Sequence, residues 1–306
     1  MARHAARPTL PWLIFCSLHG DDCRTMRAYS PEEGRVLHIP LKGEALVGKQ
    51  PVGGYDGGWV AGLGDDKQLV VVNVFSGVEL LLHAKNMRKV YSGCKVVFSK
   101  SPSSSDCILA TITPENRIAL CKIGCRADRW TTDISKGRML MDIVFYNGKL
   151  PLLAIDAELH IEIVSEPFAW STHIVELQGK LAMVLGKFPS YHTAPEPFFK
   201  VYMLDDDSMT KYARKWEEVT TLGDSALFLG KMSRAVDVPV VGRGRVQRNH
   251  IYADDMTYLA SFDGNGNRVY PMQDESSDNV TQRIKSAGSY VAARAQTGIW
   301  VLPPNF

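Results

Sequence analysis

An all-β fold is predicted from three features of this 306-residue sequence. Short apolar runs of strand length recur from end to end, turn residues separate them, and helical periodicity is scarce. The runs are rich in Val, Ile, Leu and aromatic residues, which suit a pleated, buried surface. They begin with WLIFC (Trp12–Cys16), RVLHIPL (Arg35–Leu41), WVAGL (Trp59–Leu63), QLVVVNV (Gln68–Val74) and VELLLH (Val78–His83). KVVFS (Lys95–Ser99), CILATI (Cys107–Ile112), RIALCKI (Arg117–Ile123), DIVFY (Asp142–Tyr146) and LHIEIV (Leu159–Val164) follow. HIVEL (His173–Leu177), KLAMVL (Lys180–Leu185), FFKVYML (Phe198–Leu204) and ALFLG (Ala226–Gly230) complete the series. Turn signals fall between them at Gly64–Asp66, Asn147-Gly148, Gln178-Gly179 and Asp263–Asn267. The one helical candidate is Val280–Ala295, weakened by Gly288 and by its β-branched residues.

Strands without intervening helices give an antiparallel sandwich, barrel or propeller. Internal repetition selects the propeller. RWTTDI (Arg129–Ile134) and KWEEVTTL (Lys215–Leu222) each place a Trp in a strand that follows a polar loop. YNGKLPLLAI (Tyr146–Ile155) matches LQGKLAMVL (Leu177–Leu185) in pattern: apolar strand, X-Gly turn, Lys-Leu, apolar strand. Trp130 and Trp216 lie 86 positions apart, two units at the roughly 40–50 residues of a propeller repeat. The expectation is a kelch-like β-propeller of six or seven blades over residues 10–306, preceded by a short tail at 1–9. In KWEEVTTLGDSALFLGK (Lys215–Lys231), Trp216 is expected to be a buried strand anchor and Leu222-Gly223-Asp224 a turn. Leu227 and Leu229 would face one side of the next strand, and Ala226 and Phe228 the other. Two apolar faces mark a strand covered by neighbouring sheets.

Composition is that of an ordinary globular chain, 45% hydrophobic and 22% charged. A net charge of +2 lacks the basic excess of a protein that grips nucleic-acid backbone. Cys16, Cys23, Cys94, Cys107, Cys121 and Cys125 sit mostly in apolar runs and read as reduced thiols, which places the chain in the cytoplasm or nucleus. Cys121 and Cys125 have no second pair at zinc-site spacing. The run Leu10–Leu18 is broken by Pro11 and is too short to span a membrane, so no membrane association is expected. The sequon Asn279-Val280-Thr281 carries little weight without a secretory signal.

An ordered series of motifs resembles a plant family in which an F-box precedes a KIB-type β-propeller. LPWLIF (Leu10–Phe15) resembles its opening strand. GGWVAGLGDDKQLVVVNVFSGVELLL (Gly57–Leu82) is similar to its Gly-Trp strand and Asn-Pro-Phe-Ser-Gly element, with Val74 in place of the proline. KVVFSKSPSSSDCILATI (Lys95–Ile112) resembles its Ser-Pro-rich loop between strands, and DIVFYNGKLPLLAIDAELHI (Asp142–Ile161) its Tyr-Asn-Gly-Lys hairpin. FKVYMLD (Phe199–Asp205), KWEEVTTLGDSALFLG (Lys215–Gly230), NHIYADD (Asn249–Asp255) and IWVLPP (Ile299–Pro304) complete the set. The resemblance covers nearly the whole chain. It implies recruitment of protein substrates to ubiquitin ligases. The segment Met1–Thr9 is far shorter than an F-box, so direct docking to the ligase adaptor is not expected.

Motifs with possible chemistry are each incomplete. GEALVGKQ (Gly43–Gln50) approaches a phosphate-binding loop, but Gln50 replaces the magnesium-binding hydroxyl and Pro51 follows. DGNGNRVYPMQD (Asp263–Asp274) imitates a calcium loop but has Arg268 at its glycine position and Pro271 within it. HIE (His160–Glu162) lacks the cysteine pair of a deaminase zinc site. His160 and His173 read as structural strand histidines, and Asp205–Asp207 as a solvated loop. GRGRVQR groups Arg243, Arg245 and Arg248 without an aromatic platform, so nucleic acid is disfavoured. No catalytic residue, metal ligand, cofactor or binding residue is assigned. The expected function is a non-enzymatic protein-binding propeller whose target is not named by the sequence. The alternatives are a small-molecule propeller enzyme using Asp142, Asp156 and Asp254 at the central channel, and a degenerate copy without a retained partner.

Overall fold

A computed structural model describes residues 10–15, 25–66, 68–82, 94–124, 130–133, 138–156, 169–187, 198–205, 215–230, 232, 234–240, 245–254, 267–272, 282–283 and 298–304. Every regular element among them is a strand. β1 (Trp12–Phe15), β2 (Thr25–Ser30) and β3 (Arg35–Pro40) form most of the first blade. β4 (Gln50–Tyr55), β5 (Trp59–Leu63), β6 (Leu69–Asn73) and β7 (Glu79–Leu82) make the second. β8 (Val96–Phe98), β9 (Ile108–Ile112), β10 (Ile118–Lys122) and β11 (Thr131–Asp133) make the third. A two-stranded pair follows, β12 (Arg138–Ile143) with β13 (Leu152–Asp156). The fourth blade is β14 (Ala169–Leu177), β15 (Lys180–Lys187), β16 (Phe198–Asp205) and β17 (Lys215–Val219). The fifth has β18 (Ser225–Gly230), β19 (Val236–Pro239), β20 (His250–Asp254), β21 (Asn267–Pro271) and β22 (Gln282–Arg283). Finally β23 (Ile299–Val301) returns to pair antiparallel with β1, Leu13 opposite Trp300.

The chain is therefore an all-β propeller, as predicted, but among the described residues it has five blades of four or five strands and one two-stranded pair, rather than six or seven blades. A uniform repeat of about 40–50 residues overcounts. The last blade takes five strands, with β18 and β20 parallel, and β12–β13 contributes only two among the described residues. The 86 positions between Trp130 and Trp216 span that pair and one blade.

Six apolar clusters show how the sheets close into a ring. Val60, Val70, Ile14 and Val301 pack between blades one and two. Val52, Val71, Val96 and Leu109 pack between two and three. Val97, Ala110 and Ile143 join blade three to β12. Val144, Ile174 and Met183 join the pair to blade four. Val175, Leu177, Leu227 and Leu229 lie between four and five, and Phe228, Tyr252, Leu13 and Trp300 between five and one. β18 is buried along its whole length. Its odd residues pack toward blade four and its even residues toward blade one, as its two apolar faces predict.

Trp216 departs from expectation. It lies on the outermost strand of its blade and is only half-buried, packed beside Tyr202 against the Ile174 cluster. β17 has no strand beyond its far edge, whereas β23, also an edge strand, packs against β4 and β18 and encloses its Trp. The matched hairpins behave alike. Asn147 and Gly148 have φ of 48° and 69°, and Gln178 and Gly179 have 51° and 76°, the left-handed pairs of tight hairpins. The Tyr146 hydroxyl donates to the Gly179 carbonyl at 2.8 Å and ties the two turns together.

The Gly-Trp strand and its Asn-Val-Phe-Ser-Gly turn explain each other. Asn73 Oδ1 accepts from Phe75 N (3.2 Å) and Ser76 N (2.9 Å), while its Nδ2 donates to the Gly57 carbonyl at 2.8 Å. Gly57 and Gly58 donate to the Leu302 carbonyl, joining this blade to the closing segment. Gly58 has φ of 87°, and a Cβ there would overlap the Phe75 ring. Gly58→Ala is expected to cost about 2 kcal/mol or more, from left-handed backbone strain and overpacking. A denaturant midpoint unchanged in this variant would remove the Gly58–Phe75 fit from the account.

Candidate functional site

The inner edges of blade three, the β12–β13 pair and blade four bring together Lys95, Asp142 and His173. Lys95 lies directly before β8, Asp142 on β12 and His173 on β14. The Lys95 ammonium binds both oxygens of Asp142, at 3.0 and 3.1 Å. Both side chains are largely buried, 11% and 7% exposed, so the pair is shielded from solvent screening. Asp142 also accepts from Ile143 N at 2.8 Å and from Ile174 N at 3.0 Å. One carboxylate thus holds a lysine of blade three and a backbone amide of blade four. A register shift between Leu140 and Asp142 accompanies this placement and leaves Met141 exposed. Asn116, in the β9–β10 turn, accepts from Leu140 N at 2.7 Å and holds the same strand from the other side of the shift.

Burial holds the His173 imidazole down at about 4, against an ordinary 6.5. Asp142 opposes this shift and Lys95 reinforces it. The linkage has a definite sign. Between pH 6.5 and 4 the unfolded chain binds a proton at His173 that the folded chain refuses. The contribution to stability is complete above 6.5 and is lost as pH falls toward 4. Its size is on the order of 2 kcal/mol once partial solvent access is allowed for. His173→Gln should flatten the stability profile in that window relative to the unsubstituted chain. Parallel profiles for the two proteins would show that His173 is not the group responsible.

The three Asp residues named for a catalytic channel occupy separate backbone positions. Asp142 and Asp156 share one hairpin but at different levels, Asp142 opposite Leu153 and Asp156 opposite Arg138. Asp254 ends β20 in blade five, opposite Asn267, with blade four between it and the hairpin. Blade five presents another inward carboxyl, Asp237 on β19. Its Oδ2 accepts from Gln178 N at 3.1 Å, its Oδ1 has no partner, and burial raises its pKa.

The remaining motifs are absorbed by the scaffold. Gly43–Gln50 leads into a strand, not a helix, and Lys49 lies 3.8 Å from Asp66. Arg245 donates to the Glu33 carbonyl at 2.6 Å and Arg248 to Asp224 at 3.2 Å. Both bind within the protein, and Arg243 lies outside the described residues. Asn267–Pro271 is strand β21, while residues 263–266 lie outside the described residues, as do His160–Glu162, Asp206 and Asp207, Cys16, Cys23 and Cys125. Of the Val280–Ala295 candidate, Gln282–Arg283 is a strand and the rest is likewise outside. Cys94, Cys107 and Cys121 are buried thiols. Among the described residues no group of His, Cys, Asp and Glu could hold a metal ion, and no helix is long and apolar enough to cross a membrane.

Sequence reasoning missed Lys95 and the role of Asp142. The signal was a lone Lys before one apolar strand and a lone Asp within another, and neither is distinctive by itself.

Comparison with known proteins follows the fold. No curated protein matches the chain. Among solved structures, the crystal structure of the N-terminal domain of Nup159 aligns with 11% identity and a TM-score of 0.26, over 96% of this chain and 63% of that one. A complex of S. cerevisiae Dbp5 with Nup159 and Gle1 aligns with 10% identity and a TM-score of 0.26, over 94% and 60%. The chain spans about three fifths of the length of these structures. A model of the KIB1-4 β-propeller matches residues 28–279, most of the chain, and the chain belongs to the KIB1-4 β-propeller family.

Proposed function

We propose that this propeller is a non-enzymatic module that binds another protein through the loops at its ends, in the manner of the substrate-recruiting domain it resembles. The observation that carries the reading is the state of Asp142. The buried Asp142 carboxylate makes two bonds to Lys95 and two to backbone amides. A carboxylate so engaged positions sheets, whereas a general base needs a free lone pair facing its substrate. What remains for function is a broad loop surface on a rigid scaffold. The propeller by itself is proposed not to dock the ligase adaptor, since its described strands are paired into sheets.

Two measurements test this. Proteins captured by the immobilised chain should bind saturably. Replacing Pro31–Gly34 and Ser99–Asp106 with Gly-Ser linkers should weaken that binding while the fold is retained. Unchanged affinity after replacement of every exposed loop would reject loop-borne recognition. Recombinant adaptor should show no saturable binding, and micromolar or tighter affinity would reject the second statement.

A further inference from the structure

The loop between β8 and β9 reads Ser99-Lys100-Ser101-Pro102-Ser103-Ser104-Ser105-Asp106. Its serines have different environments. Ser99 Oγ accepts from Ile108 N at 2.8 Å and closes the base of the loop. Ser101 is half-buried beside a buried Pro102, so an enzyme reading a Ser-Pro pair cannot reach the proline. Ser104 is half-buried and donates to Asp106 Oδ1. Ser105 is exposed, but the residue three positions on is Ile108. Ser103 alone is both exposed and followed at the third position by a carboxylate, Asp106.

We propose that Ser103 is a phosphorylation site, taken by an acid-directed serine kinase that reads Asp106. The Ser103 hydroxyl oxygen attacks the γ-phosphorus of a nucleoside triphosphate. A new O–P bond forms, the bond to the nucleoside diphosphate breaks with its electron pair, and the hydroxyl proton passes to the kinase's base.

The loop is arranged to receive the added charge. Lys100 contacts Asp106 at 2.6 Å, and both side chains are about half exposed, at 48% and 56%. An exposed pair of this kind is cheap to open. Hydrogen bonds from Lys100 and then Ser104 hold the Asp106 carboxyl down at about 2, so it is charged for recognition at any physiological pH. When Lys100 turns to a phosphate on Ser103, Asp106 keeps its bond from Ser104. Ser101 Oγ lies 2.7 Å from Ser103 Oγ and can donate to a phosphate oxygen. Modification turns a loop with one positive and one negative side chain into a net acidic surface. This deepens the protein-binding reading, because the loop is one of the surfaces assigned to recognition there. The test does not depend on that reading.

The full-length chain is incubated with an acid-directed serine kinase and magnesium-ATP, and phosphate incorporation is followed by intact mass and fragment mapping. Phosphate is expected on Ser103, and the fragment map separates it from Ser76, which is also exposed and has Glu79 at its third position. Ser103→Ala should abolish it, and Asp106→Asn should slow it about tenfold through loss of a charge-assisted contact. Melting curves confirm that each variant is folded. No phosphate on Ser103 of the folded chain, or an undiminished rate at Ser103 in Asp106→Asn, would each overturn the proposal. A phosphorylated chain that binds proteins as before would leave the site intact and remove the link to recognition.

Discussion

Replacing Trp300 with Ala is expected to lower stability by about 3–5 kcal/mol, the range for truncating a fully buried aromatic side chain. For a chain of this size that means a fall of roughly 10 °C in melting temperature. The reason lies in ring closure. Trp300 is on β23, the C-terminal strand that completes the first blade by pairing with β1. Its ring is 1% exposed and meets Phe228 of blade five edge-on at 4.9 Å, and Phe228 stacks on Tyr252 at 4.8 Å. The indole Nε1 donates to the Leu229 carbonyl at 2.9 Å. One side chain therefore joins the first blade, the last blade and the C-terminus. Trp300→Phe separates the terms. It keeps most of the apolar contact and leaves the Leu229 carbonyl without that donor, at a cost of about 1–3 kcal/mol. Equal losses for Ala and Phe would mean that the hydrogen bond, not the packing, closes the ring. No loss for either would mean that the ends of the chain do not carry the closure.

Asp142→Ala is expected to have a comparable effect, about 3–5 kcal/mol, by a different route. It leaves the Lys95 ammonium largely buried without its counter-charge and strips Ile143 N and Ile174 N of their acceptor. The β12–β13 pair would lose the polar tie that Asp142 makes to both neighbours and keep the one from Leu140 N to Asn116. The double variant Asp142→Leu/Lys95→Met should recover part of the loss, since the buried charge goes with its partner. A double-mutant cycle reads this coupling directly. Additive costs would show that the two residues do not act as a clamp.

The strands were legible because apolar residues alternate or run continuously wherever a sheet is covered, and β18 shows this well. Its Ala226-Leu227-Phe228-Leu229 pattern states that both faces are buried, and both are. The X-Gly turns were legible because few residue types accept a positive φ at two successive positions. Trp216 was misjudged because burial depends on rank within a blade, and an outer strand resembles an inner one in composition. The role of Asp142 was not legible for a related reason. Nothing local distinguishes an Asp that anchors its neighbours from any other Asp within an apolar strand, and only the tertiary pairing shows that Asp142 is engaged.

Local pattern thus settled the class of fold, the strand set, the tight hairpins and the paired apolar faces, because each depends on a few consecutive residues. Blade number, ring closure and the Lys95–Asp142 tie were decided only by tertiary structure. They depend on which sheet edge meets which, across separations of tens to hundreds of residues. β23 pairs with β1 from the far end of the chain, and Lys95 reaches Asp142 across 47 positions. The β12–β13 pair is held in its place in the ring by its neighbours' apolar faces and one buried carboxylate, and no repeat length records that.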